Sequence, residues 1–148
     1  MQFQKLGLAF QRASQPWNPD LRDWEASDAL LLDTLGELPA AYGEGTVALV
    51  GGGWTWTGGH NPMEPVRWGL PTLIGPGYSN FEDLALPLRD AGLLEVVPEA
   101  ALAQALAQAL KKAPLRPPAT HDLELPTALR GALERTCNLL WEILPSLR

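Results

Sequence analysis

Cysteine is almost missing: Cys137 stands alone among 148 residues, so no internal disulfide can form and a stapled secreted fold is excluded. Its place on an apolar helical stripe marks it as a buried structural thiol. Lysine is nearly as scarce, limited to Lys5, Lys111 and Lys112. Acidic residues number 17 against 11 basic ones, for a net charge of −6. That balance excludes the clustered basic surface needed for nucleic acid or for contact with an anionic membrane. The two histidines, His60 and His121, have no Cys, His or Asp partner at ligand spacing, so neither a metal site nor a cofactor is expected. Long apolar runs are also absent; none approaches the roughly 18–20 residues of a membrane span. Residues 1–14 lack the apolar core of a signal peptide. The expectation is a soluble, cytoplasmic protein.

What is present is a foldable composition. Hydrophobic residues make up 46% and charged residues 19% of the chain, which argues against disorder. Glycine and proline number 14 each and cluster at element boundaries. Short apolar runs at Leu8–Ala13, Asp28–Asp33, Thr46–Val50, Pro71–Ile74 and Leu93–Val97 read as strands. Between and after them, Glu37–Tyr42, Asn61–Trp68, Ser79–Ala91 and Glu99–Lys112 read as helices. In the last of these, Leu102, Leu106 and Leu110 form the expected buried face. Ser79 and Glu82 fit a capping box, with Gly92 closing the helix. A Pro-rich connector over 113–126 leads to a final helix from about Pro126 to Leu144. Strands alternating with helices across short loops predict an α/β domain with a parallel sheet over residues 1–112. Residues 113–148, the connector and last helix, are expected to pack on the same domain.

The loop between Val50 and the Asn61 helix concentrates the chemistry. Glycines 51–53 and 58–59 flank Trp54 and Trp56, ahead of His60-Asn61-Pro62-Met63-Glu64-Pro65. In a parallel α/β sheet, ligands bind beyond the carboxyl ends of strands. A glycine-rich loop there brings backbone N–H groups to an anion, with a helix start behind it. The spacing is neither a P-loop nor a dinucleotide fingerprint, and tight turns alone would also explain the glycines. Asn61 suits an N-cap, Pro62 the first helical position and Glu64 a capping box. A carboxylate at this place equally suits a pair of ribose hydroxyls. His60 reads as a turn residue or a ligand contact. Trp54 and Trp56 read as stacking surfaces or as packing on the sheet edge. Asp33–Leu38 and Gly75–Phe81 are further strand-end loops, and Asp33 or Thr34 suits a helix N-cap.

Asp33-Thr-Leu-Gly-Glu-Leu38, Val50-Gly-Gly, Gly58-Gly-His-Asn-Pro-Met-Glu-Pro65, Gly75-Pro and Asn80-Phe81 follow one another in the order of a known set. In this the chain resembles the carboxyl-terminal half of bacterial 3-deoxy-D-manno-octulosonic acid (Kdo) transferases. These GT-B glycosyltransferases move Kdo from CMP-Kdo to lipid A precursors in lipopolysaccharide biosynthesis. The match runs from about Gly7 to Ala91, and less clearly to Lys112.

The resemblance implies a Rossmann-like α/β sheet, truncated at its amino-terminal side and followed by carboxyl-terminal helices. It implies a CMP or CMP-Kdo site in which Gly58, Gly59, His60 and Asn61 frame the phosphate and Glu64 takes the ribose. Thr34, Leu35 and Gly36 would lie near the base, and Asn80 would line the cleft. The family's amino-terminal domain carries the catalytic carboxylate, the acceptor site and the membrane contact, and it has no counterpart here. No catalytic residue is therefore expected in this chain. Activity would need a complementary half or another copy of the chain, at the inner face of the membrane. The family's Gly-Pro-His is Gly75-Pro76-Gly77 here, and its Gly-Gly-Ser is Gly51-Gly52-Gly53. The alternative is a non-catalytic binding or interaction module derived from such an enzyme. With early strands missing, Leu30–Leu32 is expected to form an apolar edge. Its cover would be the Trp17–Trp24 loop, the last helix or a second copy.

Overall fold

The computed structural model describes residues 5–14, 27–113, 124–131, 135, 136 and 138. The chain divides into two compact units, Met1–Ala41 and Tyr42–Arg148, each taken by itself. In the first, β1 (Phe10–Arg12) and β2 (Ala29–Leu31) pair in parallel, with Phe10 opposite Ala29 and Arg12 opposite Leu31. Polar ties hold this pair at both ends. The Ala9 N–H donates to Asp28 Oδ2 at 2.8 Å. Asp33 accepts from the Ser14 N–H at 2.8 Å, the Ser14 hydroxyl at 2.7 Å and Arg12 Nε at 2.8 Å. Asp33 thus braces the carboxyl ends of the two strands, a role its reading as a helix cap did not contain. None of the described residues of this unit is buried. Leu30 is 48% exposed. The Trp17–Trp24 loop proposed to cover it lies outside the described residues.

Helix α1 (Leu38–Tyr42) ends at the first residue of the second unit. There β3 (Ala48–Val50), β4 (Thr72–Ile74) and β5 (Leu94–Val96) form a parallel sheet in that order. The registers place Val50 opposite Ile74 and Ile74 opposite Val96. Helix α2 (Met63–Val66) links β3 to β4, and α3 (Glu82–Asp90) links β4 to β5. Every strand connection runs through a helix, so all three carboxyl ends lie on one edge of the sheet. The α/β parallel architecture expected from the alternation is present, with its strands in two small sheets.

The core is built on both faces of this sheet. Val50, Ile74 and Leu94 meet Val66, Ala85 and Leu88 from α2 and α3. On the other side Leu73 and Val97 meet Ala105 and Ala109 of α4 (Leu102–Lys112). The central strand β4 is buried along its whole length, as a strand covered on both faces must be. Here the expected helix face shifts. The alanines sit nearest the sheet because small side chains allow close approach, whereas Leu102 and Leu106 pack at the flank. Leu110 is 51% exposed.

Two helix starts also differ from expectation. Ser79–Phe81 is a 3-10 turn and α3 begins at Glu82, without the anticipated side-chain cap. Asn80 explains the tightening, since its N–H is drawn to the Gly58 carbonyl. Pro126 heads only a 3-10 turn, Thr127–Leu129. Arg130 is then extended and Gly131 takes a φ of 68°, which breaks the expected helix. A helical bond resumes from the Arg135 N–H to the Gly131 carbonyl. Cys137, Leu140 and Leu144 lie outside the described residues, as do the Trp residues of the first loop and most of the connector.

Candidate functional site

The chain after β3 turns through residues 51–57 and then runs to α2. Glycine is required at defined points on this path. Gly52, Gly58 and Gly59 have φ of 82°, 78° and 82°, which side-chain-bearing residues adopt only with strain. Gly53 and Gly75 are needed for another reason, close approach of backbone to backbone. A Cβ on Gly75 would lie 2.3 Å from the Gly53 carbonyl carbon and 2.6 Å from the Trp54 nitrogen. The Gly77 N–H then donates to the Gly53 carbonyl at 2.8 Å.

Further bonds lock the strand-end loops together. Asn80 Nδ2 donates to the Thr57 carbonyl at 2.9 Å, and the Asn80 N–H to the Gly58 carbonyl at 3.0 Å. Gly58 has no room for a side chain because Asn80 lies 2.5 Å from where its Cβ would be. Trp54 donates its indole N–H to the Val97 carbonyl at 2.8 Å, joining the end of β5 to the same cluster. Of the two readings of Trp54, packing on the sheet edge is the one realised.

At α2 the cap is half of what the sequence suggested. Asn61 Oδ1 accepts from the Met63 N–H at 3.0 Å, with Pro62 already helical at φ −80° and ψ −14°. Glu64 does not reach back to the backbone. Its Oε1 accepts from Asn61 Nδ2 at 3.4 Å, which leaves the other carboxylate oxygen for a donor from outside. Glu64 is half-buried, and its charge assists burial, the larger cause, in raising the Tyr42 phenol above its ordinary pKa.

The helix behind the loop supplies little to an anion. It has four residues, Pro62 and Pro65 have no N–H, and Asn61 occupies the Met63 donor. The loop supplies more. Among the described residues, the N–H groups of Gly58, Gly59, His60 and Asn61 donate to no backbone or side-chain acceptor. Gly58 and Gly59 are buried and His60 is exposed, its ring lying over Gly52. Four consecutive donors without partners are uncommon in folded chains, and they adjoin a half-buried carboxylate. The arrangement can bind an anion through backbone donors and a diol through Glu64.

The structure therefore brings Gly58, Gly59, His60, Asn61, Glu64 and Asn80 together beyond the strand ends of the second unit. Thr34, Leu35 and Gly36 belong to the first unit, in the turn after β2. There the Thr34 hydroxyl donates to Glu37, Leu35 is fully exposed and Gly36 has a φ of 90°. A cavity of about 360 Å³ lies at the opposite, amino-terminal edge of the second sheet, lined by Pro71, Leu93, Gln108 and Lys112 among others. No glycine-loop residue borders it. No cluster of metal-ligating side chains occurs among the described residues, nor any helix long and apolar enough to cross a membrane.

No family model matches the sequence. The chain is similar to the 3-deoxy-D-manno-octulosonic acid transferase of Bordetella pertussis. The two are 36% identical over 145 residues, which are 94% of this chain and 32% of that protein. The transferase of the same name from Haemophilus influenzae is 34% identical over 119 residues, 78% of this chain and 28% of its own length. Among solved structures, the chain is similar to the C-terminal CMP-Kdo binding domain of WaaA from Acinetobacter baumannii. That match has a TM-score of 0.58 and 28% identity, over 74% of this chain and 56% of the other. The chain spans about a third of the length of the curated relatives it matches.

Proposed function

Because this chain is a homologue of the carboxyl-terminal part of the Kdo transferases, we propose that it is the CMP-sugar-binding part of a glycosyltransferase. The observation that carries this reading is the glycine-rich element Gly58–Glu64, within a chain similar to a CMP-Kdo binding domain. The loop N–H groups of Gly58 to Asn61 hold the phosphate, and Glu64 accepts from the ribose hydroxyls. His60 flanks the phosphate, and Asn80 holds the loop in shape at the cleft wall. With a net charge of −6, the anion is held by these local donors rather than by the field of the whole chain.

In the transfer reaction an acceptor hydroxyl attacks the anomeric carbon of the sugar and CMP leaves with the bond electrons. Donors on the phosphate stabilise the charge that develops on the leaving group. The acceptor site and the carboxylate that assists attack belong to a complementary half, which also brings the assembly to the inner face of the membrane.

Calorimetry with CMP, CDP and UDP tests the binding claim. The expected result is preference for CMP, with Glu64→Gln weakening it by about tenfold or more, the worth of a charge-assisted hydrogen bond. Absence of binding by any of the three at millimolar concentration would overturn it in favour of a non-catalytic interaction module.

A further inference from the structure

The loop after β3 sends its two tryptophans in opposite directions. Trp54 turns inward to the Val97 carbonyl. The hydroxyls of Thr55 and Thr57 both donate to the Gly52 carbonyl, at 3.1 and 3.0 Å, and lie 2.9 Å from each other. With both neighbours tied inward, Trp56 is turned out, and it is fully exposed at 105% of its reference area. The loop that carries it is braced from below by Asn80 at Thr57 and by Gly77 at Gly53. A whole indole of about 150–250 Å² is thus left without cover on a rigid turn. The bonds fix the backbone that carries it, so a ligand that covers the indole has only the side chain's own rotamers to order.

Trp56 stands two residues before the candidate phosphate loop at Gly58, and Glu64 three residues after its end at Asn61. In a nucleotide sugar, ribose and sugar lie on opposite sides of the phosphate. With Glu64 on the ribose, Trp56 belongs to the arm of the loop that leads away from the ribose in the chain. A sugar ring presents a face of polarised C–H groups, and the electron-rich face of an indole complements them. We propose that Trp56 is the platform on which the sugar ring of the CMP-sugar stacks, so that it distinguishes the loaded donor from free CMP. The proposal rests on the CMP reading of Gly58–Glu64.

Trp56→Ala and Trp56→Phe, titrated calorimetrically with CMP and with CMP-Kdo beside the wild-type chain, provide the test. Thermal melts of both variants should match the wild type, since the side chain touches no core. Trp56→Ala is expected to bind CMP as the wild type does and CMP-Kdo roughly tenfold more weakly, the scale of one aromatic contact. Trp56→Phe should recover most of that loss. Unchanged CMP-Kdo affinity in Trp56→Ala would overturn the proposal while leaving the nucleotide site intact. An equal loss for CMP and CMP-Kdo would overturn it as well, because the indole would then stack on the base. A wild-type chain that binds neither compound would overturn the nucleotide reading itself, and this proposal with it.

Discussion

Gly75→Ala places one methyl group where the structure has backbone. The added carbon would lie 2.3 Å from the Gly53 carbonyl carbon, 2.4 Å from its oxygen and 2.6 Å from the Trp54 nitrogen. Ordinary contact begins near 3.4 Å, so the two loops must separate by about 1 Å, and no side chain can rotate aside to absorb it. Separation stretches the Gly77 to Gly53 hydrogen bond, now 2.8 Å. Overpacking of this kind costs about 1–3 kcal/mol, and the lost bond adds about 1 kcal/mol. Two other glycines calibrate the effect. Gly92 has a φ of 72° with open space around it, so alanine there costs only the left-handed strain, about 1–2 kcal/mol. Gly51 has no positive φ and its nearest neighbour is 4.0 Å away, so Gly51→Ala should be neutral or slightly stabilising. Urea unfolding should rank the variants Gly75→Ala, Gly92→Ala and Gly51→Ala, from most to least destabilised. Equal stability of Gly75→Ala and Gly51→Ala would refute the close packing of the two loops.

Other substitutions separate neighbouring roles. Asn61→Ala removes the acceptor of the Met63 N–H and should cost about 1 kcal/mol by urea unfolding, the usual worth of an N-cap. Trp54→Phe deletes the bond to the Val97 carbonyl and should cost a similar amount, about 1 kcal/mol. Hydrogen bonds from the Ser14 hydroxyl and N–H, and the nearby Arg12, hold the Asp33 carboxyl below its ordinary pKa. A depressed carboxylate stabilises the folded form above its unfolded pKa and loses that contribution as pH falls through the folded value. Protection of the amides across β1 and β2, relative to the intrinsic exchange rate at each pH, should therefore fall from about pH 4 downward. In Asp33→Asn protection should be lower at neutral pH and lose this acid dependence.

Strands and helices were largely legible because apolar runs and glycine or proline stops coincide with β1 to β5 and the helices between them. The buried face of α4 was not, since periodicity marks leucines whereas proximity to a sheet favours alanine, as at Ala105 and Ala109. The cap at Asn61 was readable from residue types, but the turning of Glu64 away from the backbone depends on its tertiary surroundings. Asp33 misled for the same reason: its partners, Ser14 and Arg12, are remote in sequence. The division of Trp54 and Trp56 needed the hydroxyl bonds of Thr55 and Thr57, which no spacing rule anticipates. The loop donors were readable from the glycines, whereas the small share left to the helix start was not, because α2 is short and Pro62 and Pro65 carry no N–H.

The most direct measurement is an amide NMR titration of the chain with CMP. Loop donors that close on a phosphate should shift the resonances of Gly58, Gly59, His60 and Asn61 strongly and in a saturable way, while Gly92, on the opposite edge, stays still. Shifts confined to the cavity near Pro71, Leu93 and Lys112, or no shifts at all, would contradict a nucleotide site at the glycine loop.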